Sequence, residues 1–106
     1  MAKPGDKVRG SSTGRPIMAL LDILGQRWTL RILWELRHGP LSFRRLRAQC
    51  EDVSPTLLNS RLKLLREVKI IELGSEGYRL SLQGHQLAGS LTAMNNWAED
   101  WSKSLG

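Results

Sequence analysis

The stretch that decides the fold is residues 54–67, S-P-T-L-L-N-S-R-L-K-L-L-R-E. Ser54 followed by Pro55 marks a helix start, because serine caps free N–H groups and proline loses no hydrogen bond at the first helical position. At about 100° per residue, one arc of this segment is apolar and the opposite arc is polar. The apolar arc contains Leu57, Leu58, Leu62, Leu64, Leu65 and Val68. The polar arc contains Thr56, Asn59, Ser60, Lys63, Arg66 and Glu67. The segment is therefore predicted to be a helix with an apolar back and a hydrogen-bonding front.

The polar arc is suited to nucleic acid. Short polar side chains and cations match base edges and phosphates, and a helix fits the major groove of DNA. The alternative is an ordinary solvated helix face, since Lys and Arg are the usual residues there. Arg61 lies inside the apolar arc, where an ion pair with an acid is the structural interpretation and a phosphate contact the functional one.

Composition and charge narrow the class of protein. The 106 residues predict one domain with a net charge of +6. Residues 1–69 hold 14 Lys/Arg against 6 Asp/Glu, whereas residues 70–106 hold 2 against 4. The positive excess thus surrounds the predicted helix, as expected of a partner for a polyanion, although a merely solvated basic surface would look the same. With no long apolar run, no secretory signal and one cysteine, we expect a cytoplasmic protein without membrane contact.

Three further helical segments precede residue 54. Residues 1–15 are predicted to form a flexible basic tail, with phosphate or minor-groove contact by Lys3, Lys7, Arg9 and Arg15 as the alternative. Residues 16–24 form the first predicted helix, with Gly25 ending it and Ile17, Leu20, Leu21 and Leu24 at i, i+3, i+4 and i+7. Residues 28–37 form the second, which is apolar nearly all round and therefore expected to be central. Residues 43–50 form the third, with Ser42 as its cap and an outward cluster of Arg44, Arg45 and Arg47 suited to the DNA backbone.

A hairpin and a long helix follow. Residues 70–73 and 78–82 are β-prone runs around the turn Gly74-Ser75-Glu76-Gly77, and Leu41 is expected to add a single-residue strand. The helices and hairpin together predict a mainly α fold with a small β wing, a winged helix-turn-helix. The wing is short, carries Glu76 at its tip and offers only Arg79 to phosphate, so little contribution is expected from it.

The last helix, residues 82–104, is predicted to mediate dimerisation. Its apolar residues are spaced 4, 3, 4, 3 and 4 apart, the heptad spacing that a helix uses to meet a partner helix. They are Leu87, Leu91, Met94, Ala98, Trp101 and Leu105, with Trp97 beside them. The predicted interface pairs them with Ile17, Leu20 and Leu21 of the first helix. Packing against the domain's own core is the alternative.

The ordered set of motifs resembles the HxlR-type winged-helix transcriptional regulators, relatives of the MarR group. The resemblance runs over about residues 15–102 and includes Gly25-Gln26-Arg27-Trp28-Thr29, Phe43-x-x-Leu46, Ser54-Pro55, Tyr78-x-Leu80-Ser81-x-x-Gly84 and Trp97 with Trp101. It implies a homodimer that binds a partly palindromic operator, with terminal helices at the dimer contact and residues 54–67 in the major groove. Two positions depart from the family pattern. Arg15 stands where many members have a sensor cysteine, and Lys69 stands where relatives usually have glycine.

Enzyme activity is not predicted, because no catalytic constellation, phosphate loop or metal-ligand spacing is present, and no cofactor is expected. Cys50 is predicted to lie on an inward face, where a thiol is usually inert. The leading hypothesis is a dimeric regulator that reads bases with Thr56, Asn59, Ser60 and Lys63 and holds phosphates with Arg44, Arg45, Arg47, Arg66 and Lys69. The alternatives are a winged-helix module that binds another protein and a non-specific nucleoid or RNA-binding protein. No residue argues for a particular small-molecule effector.

Overall fold

The computed structural model describes residues 15–106, so the predicted contacts of Lys3, Lys7 and Arg9 lie outside the described residues. Five α-helices and one two-stranded sheet follow in chain order. They are α1 (Pro16–Leu24), α2 (Thr29–Glu35), α3 (Phe43–Gln49), α4 (Pro55–Glu67), β1 (Ile71–Gly74), β2 (Gly77–Leu80) and α5 (Leu82–Ser104). This mostly helical chain with a small antiparallel sheet confirms the predicted winged helix-turn-helix.

Helix α1 has the predicted bounds, and it leaves two of its predicted dimer residues exposed. Ala19 and Ile23 are its buried residues, whereas Ile17 and Leu21 are 50% and 52% exposed. The segment is apolar on nearly every side, so its periodicity does not determine which arc meets the core. Ile17 and Leu21 therefore remain open to the dimer contact that the sequence predicts for them.

Helix α2 is shorter than predicted. Trp28 has a left-handed backbone (φ +77°) and precedes the helix as its N-cap, and residues Leu36–His38 continue as a 3₁₀ turn. Ile32, Leu33 and Leu36 are fully buried, but Leu30 on the opposite side is exposed. The helix therefore has a solvent side at Leu30, but it packs against α1, α3 and α5, as the predicted central position requires.

The core lies behind α4. Leu58, Leu62 and Leu65 of its apolar arc are at most 1% exposed and join residues from α1, α2, α3, α5 and the sheet in one cluster. Burying one leucine side chain is worth roughly 1.5–3 kcal/mol, so this back anchors the helix firmly. The predicted apolar arc and the bounds of α4 are both confirmed.

The wing is a tight hairpin. Ile71 pairs with Leu80 and Gly74 with Gly77, which leaves a two-residue loop instead of the predicted four-residue turn. The strands thus extend to both glycines, and Ile70 and Ser81 lie outside them. Leu41 exchanges backbone hydrogen bonds of 2.9 and 2.8 Å with Tyr78, which confirms the predicted single-residue strand. Gly77 (φ +121°) is required there, because a Cβ atom would lie 2.5 Å from the Leu41 carbonyl oxygen.

Helix α5 begins against the end of α4. Ser81 Oγ accepts a 3.0 Å hydrogen bond from the Gly84 N–H, as an N-cap does, and donates at 2.8 Å to the Lys69 carbonyl. Gly84 packs so closely on the Ile70 carbonyl that no Cβ atom would fit. The helix then continues for 23 residues, and its last turns are largely exposed. Between residues 15 and 106, no helix has the length and hydropathy that a membrane crossing needs.

Candidate nucleic-acid interface

The polar arc of α4 is open to solvent. Ser54 Oγ accepts a 3.2 Å hydrogen bond from the Leu57 N–H, and Pro55 occupies the first helical position, so the start of the helix is fixed as predicted. All six polar-arc residues are exposed: Thr56, Asn59, Ser60, Lys63, Arg66 and Glu67. In the described part of the chain, no hydrogen bond or ion pair to another side chain occupies Asn59 or Lys63. This face can approach a base edge without first breaking an internal contact.

Helix α3 presents two free cations, not the three predicted. Ser42 caps the helix by accepting a 3.2 Å hydrogen bond from the Arg45 N–H, and Arg44 and Arg45 are exposed. Arg47 instead donates from Nε to the Val53 carbonyl at 2.7 Å and from Nη2 to the Asp52 carbonyl at 3.3 Å. It is half-buried and satisfies carbonyls in the α3–α4 turn, so we assign it a structural role in place of the predicted outward orientation.

The turn between α3 and α4 needs this support. Glu51 and Asp52 are consecutive residues with positive φ (+58° and +57°), a conformation that is uncommon outside glycine. The Asp52 N–H donates to the Arg47 carbonyl at 2.9 Å, so backbone and side chain of one arginine brace both ends of the turn. The turn sets the angle between α3 and α4, and hence the position of the polar arc.

Arg61 lacks the predicted acidic partner and bonds to a backbone carbonyl instead. Its Nε donates a 2.9 Å hydrogen bond to the carbonyl of Arg27, in the connection between α1 and α2. No acidic side chain among residues 15–106 forms an ion pair with it. Arg61 therefore links the middle of α4 to the chain leaving α1.

Lys69, at the end of α4, has a left-handed backbone, the conformation in which glycine is usual. Its φ is +65°, its N–H donates to the Arg66 carbonyl at 3.0 Å, and the Ile70 N–H donates to the Leu65 carbonyl at 2.9 Å. These two bonds form a Schellman motif, in which glycine is the usual left-handed residue. The exposed Lys69 side chain lies with Arg66 at the rim of a groove of about 360 Å³ between α4 and β1.

The wing offers no unpaired cation. Arg79 Nε lies 2.9 Å from Glu72 Oε1 across the hairpin, so the only predicted phosphate ligand of the wing is already paired. Glu76 is exposed at the tip. The expectation of a weakly contributing wing is consistent with this arrangement.

The predicted dimer residues divide into two groups. Leu87 and Leu91 are half-buried and pack on the core, so this part of the heptad spacing serves the domain itself. Farther along α5, Met94, Trp97 and Trp101 are 59%, 65% and 50% exposed, and the two indoles stack with centroids 5.6 Å apart. Leu20 and Ala98 are half-buried. Large exposed apolar side chains thus remain on α1 and on the second half of α5.

Sequence reasoning missed Arg31. Its Nη2 donates at 2.8 Å to the Gln49 carbonyl, its Nε lies 2.7 Å from Glu35 Oε2, and its Nη1 lies 3.4 Å from Glu51 Oε2. It therefore ties α2 to the end of α3. The i,i+4 spacing of Arg31 and Glu35 was the one sequence signal that could have indicated part of this network.

Comparison with known proteins identifies the family. The model of the HxlR-like helix-turn-helix family matches residues 23–105. The chain belongs to this family. Rv3095 of Mycobacterium tuberculosis, named an HTH-type transcriptional regulator, is 30% identical over 102 residues, covering 90% of this chain and 61% of the relative. YvaP of Bacillus subtilis, also so named, is 28% identical over 88 residues, covering 76% of this chain and 82% of the relative. The chain thus spans about three-fifths of the mycobacterial relative, and the named relatives are regulators, not enzymes.

Solved structures agree with the fold. Quinone-bound YodB from B. subtilis is similar with a TM-score of 0.72 and 28% identity, covering 79% of this chain and 96% of that one. A protein assigned to the MarR family of regulators, from Enterococcus faecalis V583, matches with a TM-score of 0.73 over 93% of this chain and 96% of that one. Its 17% identity supports the fold alone.

The thiol of this HxlR-family chain is buried. Cys50 is its one cysteine and is fully buried, which confirms the predicted inward face. Burial raises the pKa of the Cys50 thiol, and the nearby Arg31 guanidinium offsets only part of that increase. A buried protonated thiol is a poor nucleophile. No cluster of three or more potential metal ligands occurs within residues 15–106.

Proposed function

We propose that this chain is a dimeric, sequence-specific transcriptional regulator that reads a pseudo-palindromic DNA site by inserting α4 into the major groove. Thr56, Asn59, Ser60 and Lys63 would contact base edges. We further expect it to act in the cytoplasm, where its DNA would be.

One observation carries the proposal: α4 combines a leucine back that is almost completely buried with a polar face that has no competing internal partners. Asn pairs with adenine through two hydrogen bonds, and Lys donates to guanine, so Asn59 and Lys63 are the residues expected to discriminate bases. One such pair is worth roughly 1–3 kcal/mol of discrimination. A helix that only faced solvent would not need this set of polar-arc side chains on a helix-turn-helix fold.

The phosphate contacts are expected from the cations without an internal acidic or carbonyl partner. These are Arg44, Arg45, Arg66 and Lys69, all exposed. Each phosphate contact adds about 0.9 to the slope of log affinity against log salt concentration. Four contacts in each of two protomers predict a slope of about −7, whereas a monomer would give about half of that. Arg47 and Arg79 already have intramolecular partners, so they are left out of the count of phosphate contacts.

Dimerisation is supported by the uncovered apolar surface. Trp97 and Trp101 stack on α5, and Ile17 and Leu21 are exposed on α1. Single exposed apolar side chains are ordinary on a protein surface, whereas a group of large ones indicates an interaction surface. A two-fold dimer would place half-sites about 10 base pairs apart, or a multiple of that spacing. Sedimentation equilibrium should give twice the subunit mass for the wild type, and the double variant Trp97→Glu/Trp101→Glu should give the single mass. A single mass for the wild type would refute the dimer.

A second candidate is a winged-helix module that binds another protein and no specific DNA site. The internally paired Arg79 and the acidic tip Glu76 favour it, since both weaken the attraction of the wing for phosphate. The same exposed tryptophans would then meet a different protein.

The test is selection of bound fragments from random and genomic DNA, followed by anisotropy titrations over a range of salt concentrations. Asn59→Ala and Lys63→Ala should change which sequence is preferred. Arg44→Ala and Arg45→Ala should weaken all sequences alike and reduce the salt slope by about 0.9 each. Lys103→Ala removes an equally exposed cation from the far end of α5 and should change neither quantity. Failure to enrich any sequence, with tight binding to a protein partner, would favour the second candidate.

The signal is expected to differ from that of thiol-based relatives. Quinone is bound by YodB. In this chain Arg15 occupies the position of the sensor cysteine, and Cys50 is buried. We therefore infer that electrophiles do not control this protein through a thiol.

A further inference from the structure

The two strands of the wing carry an ion pair on the side away from the buried Ile71 and Leu80. Glu72 and Arg79 are directly opposite each other in the register of β1 and β2, where cross-strand side chains are closest. Arg79 Nε donates a 2.9 Å hydrogen bond to Glu72 Oε1, and both side chains are about half exposed. Exposed ion pairs contribute little to stability, so this pair is not expected to hold the wing together.

Gly74 leaves space for the Arg79 guanidinium. A Cβ atom at Gly74 would lie 3.1 Å from Nη1 and 3.2 Å from Cζ of Arg79, and these are its nearest neighbours. The backbone of Gly74 is not left-handed, so the turn itself does not call for glycine there. Glycine within a strand often marks a place where another group approaches closely. The absent side chain therefore lets the guanidinium lie across β1 beside Glu72.

Glu72 also lines the groove of about 360 Å³ between α4 and β1. The wall formed by the end of α4 carries the exposed cations Arg66 and Lys69. Among the described residues that line this groove, Glu72 is the only acid. Within residues 15–106, no ion pair joins Glu72 to Arg66 or to Lys69. One carboxylate thus lies between two cations that are proposed to hold phosphate and the arginine to which it is bonded.

A carboxylate and a phosphate group compete for the same arginine. Both accept charge-assisted hydrogen bonds from a guanidinium, and both match its forked geometry. Because Glu72 is fixed beside Arg79 on the neighbouring strand, DNA has to displace its carboxylate before Arg79 can contact the backbone. The same negative charge also repels a phosphate that approaches Arg66 and Lys69. Glu72 is therefore positioned to oppose DNA binding.

We propose that Glu72 occupies Arg79 in place of a DNA phosphate and thereby lowers the affinity of this chain for DNA of any sequence. Phosphate contacts carry no sequence information, so withholding one weakens non-specific binding without changing the bases that α4 reads. A lower non-specific affinity matters because a genome offers a very large number of competing sites. The inference rests on the proposed contact of α4 with DNA.

The test is anisotropy titration of Glu72→Gln with a fluorescein-labelled duplex of mixed sequence, about 30 base pairs long so that it spans two half-sites. Glutamine keeps the shape of the side chain and removes its charge. The released Arg79 should add one phosphate contact. The salt slope should then steepen by about 0.9 per protomer, which is about eightfold more affinity per protomer for each tenfold fall in salt. The double variant Glu72→Gln/Arg79→Ala should return to the wild-type slope.

Glu76→Gln is the matched control. It removes the same charge from the exposed tip of the wing, where the glutamate forms no ion pair with any residue from 15 to 106. The salt slope of this variant should equal that of the wild type. Both single variants should melt near the wild-type temperature, because each changes an exposed side chain.

Three results would overturn the inference and leave the proposed function intact, provided that the wild type binds the duplex. They are an unchanged or shallower slope in Glu72→Gln, an equal steepening in Glu76→Gln, and a steeper slope that persists in the double variant. If neither the wild type nor Glu72→Gln bound the duplex at low salt, the inference and the proposed function would both fail.

Discussion

Lys69 joins a strained backbone to a predicted phosphate contact, and substitutions there separate the two roles. Its φ of +65° is in the left-handed region, which costs an L-residue roughly 1–2 kcal/mol. Glycine avoids that cost but loses roughly 0.5–1 kcal/mol more conformational entropy on folding. Lys69→Gly should therefore raise the free energy of unfolding by roughly 0.5–1 kcal/mol. For a domain of this size, the melting temperature should rise by about 2–8 °C.

The left-handed backbone of Lys69 is fixed by hydrogen bonds on both sides of it, so we expect the variants to keep it. The Lys69 N–H and the Ile70 N–H close the Schellman motif, and the Lys69 carbonyl accepts the Ser81 hydroxyl hydrogen bond at 2.8 Å. Lys69→Ala is the matched control, because alanine has the same left-handed penalty and also lacks the charge. It should melt near the wild-type temperature at equal protein concentration.

The two variants should behave alike on DNA. Each loses one predicted phosphate contact, so the salt slope should fall by about 0.9 per protomer in both, although only Lys69→Gly becomes more stable. Chemical denaturation and calorimetric melting measure the first effect, and anisotropy titrations at several salt concentrations measure the second. If Lys69→Gly were no more stable than Lys69→Ala, the argument from backbone strain would fail.

The remaining predictions concern the two helical glycines and the thiol. Gly84→Ala should destabilise the domain by roughly 2 kcal/mol or more, because its methyl group overlaps the Ile70 carbonyl, whereas Gly89→Ala should stabilise it by roughly 0.5–1 kcal/mol. A more stable Gly84→Ala or a less stable Gly89→Ala in urea unfolding would contradict the packing argument. Cys50 should react with a thiol reagent only as fast as the domain opens, and DNA affinity should not change during short exposure to reagent. Because burial raises the pKa of Cys50, the folded state keeps its proton where the unfolded chain loses it, so stability should fall above about pH 8.5. Cys50→Ala should remove that component of the pH dependence, and an unchanged slope would refute the assignment.

Helix ends were predictable because their signals are local. Ser54 and Pro55 fixed the start of α4, Ser42 capped α3, and Ser81 capped α5, each through a bond to an N–H three residues later. The left-handed Lys69 was also foreseeable, because the family pattern has glycine at that position. These features require only the residues next to them.

The side-chain partners of the arginines were not predictable, because they depend on chain segments that meet only in the fold. Arg61 reaches a carbonyl 34 residues away, and Arg31 reaches one 18 residues away. The buried arc of α1 could not be assigned for a related reason: a helix with Ile17, Leu20, Leu21 and Ile23 on several sides does not specify which of them meets its own core. Long-range geometry decides both questions.

The arginines around α4 therefore divide into two classes that the net charge cannot distinguish. Arg47 braces the turn before the helix, and Arg61 fixes its middle to the α1–α2 connection, both through backbone carbonyls that would otherwise lack these donors. Arg44 and Arg45 have no such task and remain available to phosphate. Loss of a bracing arginine would move or loosen the polar arc and lower stability and DNA affinity together. Loss of an available one would lower affinity alone, so the ratio of the two effects measures how each positive charge is used.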